Sequence, residues 1–172
     1  MVAIEAQERL FYALAGNITL HNAFNARAIW AAVSDHDGFI DIPEPDYRRP
    51  SSFGSFELKE RLGNENIGQP IDYGKPASRV RTMTIDSSGL DRVDLIKMDI
   101  EGMELEALAG AIATIQKHKP VLFIETIKID KTKLERMLSE LDYRCYPQGM
   151  SVLCIHADDP IAAHVHVEKR AA

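Results

Sequence analysis

Cysteine is scarce in this sequence: 172 residues hold two, Cys145 and Cys154, in separate predicted strands and with no C-x-x-C pattern. That excludes a disulfide-dense scaffold and a cysteine-built zinc site, and two free thiols in a reducing compartment are the expectation. Long hydrophobic runs are missing too. None approaches the ~20 apolar residues that a membrane-spanning helix requires. The first residues carry Glu5, Glu8 and Arg9 and lack a signal-peptide core, so the expected location is cytoplasmic, with no membrane partner. Positive charge is also short. Twenty Lys and Arg face 26 Asp and Glu, for a net charge of −6. A binder of nucleic-acid phosphates needs a basic face, and the one dense basic pair, Arg79 and Arg81, is small.

What is present is an ordinary globular composition, 45% hydrophobic and 27% charged, enough for one domain with a core over residues 1–172. Residues 2–4 form a short apolar run ending at Glu5. Leu10, Phe11, Leu14 and Ile18 share one helical face, which predicts a helix over 7–22. Residues 27–33 read as a second strand, followed by a polar turn from Ser34 to Gly38. The stretch 38–78 is irregular and rich in proline and glycine, with short strands expected at 38–42 and 53–58. Strands follow at 80–85 and 93–98, then a helix over 104–117, a strand at 121–124 and a helix around Leu134, Met137, Leu138 and Leu141. Two strands, 143–146 and 151–155, close the sequence around Pro147-Gln148-Gly149 as an antiparallel hairpin. Residues 157–172 read as a polar tail. This alternation predicts an α/β fold with a mainly parallel sheet.

The apolar strands share one habit: they end in acids. Glu5, Asp35, Asp99 and Glu125 each lie just past a strand, and Glu101 follows Asp99 by two residues. Parallel strands would deliver these acids to one rim, where α/β sheets bind ligands. An acid at the end of an early strand can accept hydrogen bonds from the ribose hydroxyls of a nucleoside. Glu104 falls in the first turn of the following helix, where negative charge is favoured. Lys97 is expected to be a strand lysine reaching the rim.

The run DLIKMDIEGMELEALAGA, residues 94–111, resembles the signature of FkbM-type S-adenosylmethionine-dependent methyltransferases, a strand followed by K-[IM]-D-[VI]-E-G-x-E and an apolar helix. AIEAQERLFYALAGNITLHN at 3–22, ARAIWAAVSDHDG at 26–38 and KPVLFIE at 119–125 resemble further elements of that family, in the same order. The resemblance implies a Rossmann-like methyltransferase domain. It places the cofactor S-adenosylmethionine against Glu5 and Ala6 at the ribose, Val33, Ser34 and Asp35 near the adenine, and Asp99 at the methionine end. It puts Asp99, Glu101 and Glu125 near the transferred methyl, and the partner would be a small-molecule hydroxyl acceptor on a sugar or secondary metabolite. The family's opening strand and D-x-G-x-x-x-G turn have no counterpart ahead of Glu5, so the expectation is an N-terminally truncated domain that could form a homo-oligomer through an incomplete sheet. Two other functions fit the residues: a non-catalytic interaction module of the same fold, and a metal-dependent hydrolase using the carboxylate cluster. Against the hydrolase, no H-E-x-x-H or comparable ligand spacing is present, and His156, Asp158, Asp159 and His164-Val165-His166 read as solvated residues, so no metal is expected.

Overall fold

The computed structural model describes residues 1–165. The chain divides into two compact units, Met1–Ser88 and a second from Gly89 onward. Each is described by itself.

In the first unit, β1 (Val2–Glu5) pairs in parallel with β2 (Arg27–Trp30), with Glu5 opposite Trp30. Between them runs α1 (Glu8–Leu20). The predicted strand 27–33 is broken at Ala31 because the chain changes partner there. The Ala31 N–H donates to Glu5 O, while β3 (Ala32–Val33) pairs in parallel with β5 (Ser78–Met83). The strand β4 (Gly38–Ile42) lies antiparallel on the other side of β5. The strand expected at 53–58 is instead a short 3-10 turn, Phe53–Ser55, with Phe56, Glu57 and Leu58 buried beyond it. Glu57 Oε1 accepts the Glu65 N–H at 2.9 Å, so this segment satisfies itself locally rather than in a ladder.

The second unit holds one four-stranded sheet in the order β6-β7-β9-β8. Its strands are β6 (Leu95–Met98), β7 (Val121–Glu125), β8 (Tyr143–Gln148) and β9 (Ser151–His156). β6 and β7 run parallel, while β7–β9 and β8–β9 are antiparallel. Across both units, parallel and antiparallel pairings are equal in number among the described residues, and the strands form three sheets rather than one mainly parallel sheet. Among the described residues β6 borders one strand only, and Leu95 on it is 60% exposed.

The helix predicted over 104–117 is two helices, α2 (Glu104–Ala109) and α3 (Ile112–His118), because Gly110 and Ala111 interrupt it. Leu108 and Ile115 remain fully buried, as do Leu122 and Ile124 on β7. The next helix, α4 (Lys131–Ser139), is capped by Asp130, whose side chain accepts from Lys133 N–H, and buries Leu134 and Leu138. The tail contains a 3-10 turn at Pro160–His164; His166 lies outside the described residues.

The cysteines are not free. Cys145 and Cys154 face each other across β8 and β9 and form a disulfide. The hairpin register dictates this: Gln148 pairs with Ser151 around a two-residue turn, so position 145 falls opposite 154. Gly149, at φ 64°, supplies the positive φ that the first central position of a tight hairpin turn demands. The correction removes the thiol argument for a reducing compartment. No helix among the described residues is long and apolar enough to cross a membrane.

Candidate functional site

The acids predicted at strand ends fall in both units. In the second, Asp99, Glu101 and Glu125 come together. One carboxylate oxygen from each lies within 4.8 Å of the other two. Parallel pairing explains two of the three: Met98 lies opposite Ile124, so the residues that follow β6 and end β7 emerge at the same edge. The third depends on a turn. Met103 N–H donates to Ile100 O, and the two central residues, Glu101 at φ 57° and Gly102 at φ 91°, are both left-handed. This is the pattern of a type I′ turn, which glycine, asparagine and aspartate favour. Glutamate in that conformation costs roughly 1–2 kcal/mol, a strain that persists only where its surroundings enforce it.

Two contacts act on that turn. Lys128 Nζ donates to Glu101 Oε2 at 2.5 Å, with the two side chains only 13% and 16% exposed. Glu104, at the start of α2, is 1% exposed, and its Oε1 accepts the Ile100 N–H at 2.9 Å. A hydrogen bond to a charged acceptor is typically worth about 1.5–3 kcal/mol, enough to offset the strain at Glu101. Glu104 is thus more than a charge near a helix start. Lys97, as expected, reaches the rim, where Nζ donates to Asp99 Oδ2 at 2.6 Å.

Burial raises the Glu125 carboxyl above the usual carboxylate range, and the charges of Asp99, Glu101 and Glu104 raise it further, while Lys128 works the other way. A raised carboxyl holds a proton more tightly than an ordinary one, which suits a group that takes a proton. Three acids at this spacing are also within reach of a hard cation. Lys97 and Lys128 already answer the charge of two of them, so the cluster is not left to a metal alone. Behind Glu125, buried Thr126 fastens the hairpin turn: its N–H and Oγ1 both donate to Met150 O, at 2.9 and 3.1 Å.

In the first unit, Glu5 ends β1 half-buried. Burial pushes its carboxyl up, and the backbone N–H groups of Gln7 and Ala6 pull it down. Gln7 N–H donates to Glu5 Oε1 at 2.7 Å. Ala6 O accepts from Trp30 Nε1 at 3.0 Å, which ties the end of β1 to the end of β2. Part of the irregular segment closes over this corner. Gln7 Nε2 donates to Phe53 O, Tyr47 OH donates to Gln7 Oε1, and the Tyr47 and Phe53 rings lie 4.8 Å apart. Burial, with Glu44 and Glu5 nearby, pushes the Tyr47 phenol up to about 12. Asp35 is exposed; it accepts from Ser34 Oγ at 3.1 Å and lies 2.6 Å from His36 Nδ1, and these contacts lower its pKa. Ser34 is buried with its N–H on Met83 O, and Val33 is the last residue of β3. A recess of about 400 Å³ lies elsewhere in the irregular segment, beside Asn64, Asn66, Gln69 and Tyr73. Several of its polar groups are turned to neighbours: Gln69 Nε2 donates to Ser51 Oγ and Tyr73 OH to Glu57 O.

The sequence reading missed Lys128, Thr126 and the Gln7–Tyr47–Phe53 closure. Lys128 and Tyr47 sit in segments without periodicity, so no pattern marked them. Glu104 carried a signal, the second glutamate of E-G-x-E, and was assigned to the helix dipole alone.

Acid-tipped parallel strand pairs followed by helices, with antiparallel strands beside them, define a mixed α/β protein. The Methyltransferase FkbM domain family matches residues 1–145, and the chain belongs to that family. It is similar to the crystal structure of methyltransferase FkbM from Methylobacillus flagellatus KT, with a TM-score of 0.58 and 19% sequence identity. The match covers 90% of this chain and 36% of that one, so the likeness is one of fold, and the chain spans little over a third of that protein. No curated protein matches.

Proposed function

We propose that this chain serves S-adenosylmethionine-dependent methyl transfer to a hydroxyl oxygen on a small molecule, a sugar or secondary metabolite, within a Rossmann-like methyltransferase domain. The observation that carries the reading is the convergence of Asp99, Glu101 and Glu125 in a chain of a methyltransferase family.

The residues suit the cofactor's chemistry. The Glu5 carboxylate offers about four acceptor positions, more than the Ala6 and Gln7 N–H groups use, and so has capacity for ribose hydroxyls. In this reading Ala6 borders the ribose, and Val33, Ser34 and Asp35 border the adenine. The bound cofactor supplies a methyl group on a sulfonium, which leaves as the acceptor oxygen bonds to it and returns its electron pair to sulfur. The chain's own residues orient the acceptor and take its proton. Asp99 is the first candidate for the base, then Glu125 and Glu101. Lys97 and Lys128 hold Asp99 and Glu101 in place.

The test is transfer of labelled methyl from S-adenosylmethionine to a panel of neutral sugar and polyketide hydroxyls. Asp99→Asn should lower turnover on the order of 10²–10⁴-fold, more than it lowers cofactor binding. Equal turnover in wild type and Asp99→Asn would remove Asp99 as base. Product formation that needs added divalent cation and no S-adenosylmethionine would favour the hydrolase.

A further inference from the structure

We propose that Glu104 is a positioning residue: from its buried place at the start of α2, it holds the turn at 100–103 in the conformation that keeps Asp99 and Glu101 beside Glu125. Its consequence for methyl transfer rests on the function proposed above; the positioning itself does not.

Ile100 stands between Asp99 and Glu101, so a single bond to its N–H locates both acids. The other oxygen of Glu104, Oε2, is buried and accepts no hydrogen bond among the described residues. A carboxylate half unsatisfied in the interior is costly. The other buried residues of α2 and its N-cap, Met103, Ala107 and Leu108, are apolar. An apolar side chain of the same volume would spare that desolvation cost. What it could not do is accept the Ile100 N–H. The turn needs that restraint because Glu101 and Gly102 are both left-handed, and glutamate leaves that conformation readily when nothing holds it. Lys128 holds the far end of Glu101, and Glu104 holds the backbone beneath it.

Glu104→Gln keeps an oxygen that can accept the Ile100 N–H. Glu104→Met keeps the volume and loses the acceptor. Both remove the Glu104 charge, so both should shift the Glu125 side-chain titration, read by carboxyl carbon NMR, to lower pH. The methionine variant should shift it further, because Asp99 and Glu101 move away as well. Coincident Glu125 midpoints in the two folded variants overturn the proposal. Gly102→Ala is the second variant, since a side chain at φ 91° disfavours the same turn with Glu104 intact. Glu125 should shift to lower pH there too, and an unmoved midpoint overturns the proposal even if Glu104→Met does not fold. Binding of S-adenosylhomocysteine to the wild-type protein is read separately. Its absence counts against the methyltransferase reading, while the order of the midpoints still decides the role of Glu104.

Discussion

Removing the Lys128 ammonium is the most informative single perturbation of the acidic cluster. Lys128 Nζ lies 2.5 Å from Glu101 Oε2, and Glu101 in turn lies within 4.8 Å of Asp99 and Glu125. Lys128→Met keeps most of the stem and deletes the charge, leaving three carboxylates in mutual repulsion. Breaking a fully buried pair from one side costs about 3–5 kcal/mol, and an exposed pair about 0–1. With side-chain exposures of 13% and 16%, this pair sits nearer the buried limit, and roughly 2–3 kcal/mol is the expected loss at pH 7. For a chain of this size that corresponds to a fall in Tm of roughly 4–12 °C, readable by circular dichroism. The loss should shrink as pH falls, because protonation relieves the repulsion, and Glu125, already raised, protonates early. Glu101→Gln placed on top of Lys128→Met should recover much of it. A Tm within about 1 °C of wild type at pH 7, no more than about 0.5 kcal/mol would produce, would refute this view of the cluster.

Other expectations concern Glu5 and the cysteines. Burial raises the Glu5 carboxyl in the folded state, so the folded chain holds that proton more tightly than the unfolded one. Its contribution is present below the unfolded pKa and lost as pH rises through the folded pKa. Glu5→Gln should therefore be at least as stable as wild type at pH 7, with any advantage vanishing near pH 4; a less stable variant at pH 7 contradicts the assignment. Protein denatured without reductant should show no reactive thiols, and reduction should cost about 2–3 kcal/mol for a loop this short. Two thiols titrating before reduction would restore the free-cysteine expectation.

Much of the fold was legible because periodicity reports burial. Leu134 and Leu138 point inward from α4 as their spacing requires, and β7 reads as a continuous apolar strand because one face, Leu122 and Ile124, is fully buried and the other, Val121 and Phe123, is half-buried. The failures came where partners, not periodicity, decide. Residues 27–33 are uniformly strand-like, yet the strand switches neighbours at Ala31. Residues 53–58 form a short, partly apolar run, as a strand would, but fold on their own side chains. The disulfide follows from the hairpin register, since a turn at Gly149 and Met150 places 145 opposite 154. At the site, the strand-end rule located Asp99, Glu101 and Glu125. It could not reveal that Glu101 occupies a left-handed turn, or that Glu104 and Lys128 hold it there, since those contacts arise from tertiary packing.

Calorimetric titration of S-adenosylhomocysteine into the wild-type chain tests the account where it is most exposed. One-to-one binding is the predicted result, weakened about tenfold or more in Glu5→Ala by the loss of a charged acceptor for the ribose. No heat of binding to the folded wild-type protein, or an affinity indifferent to Glu5, would contradict it.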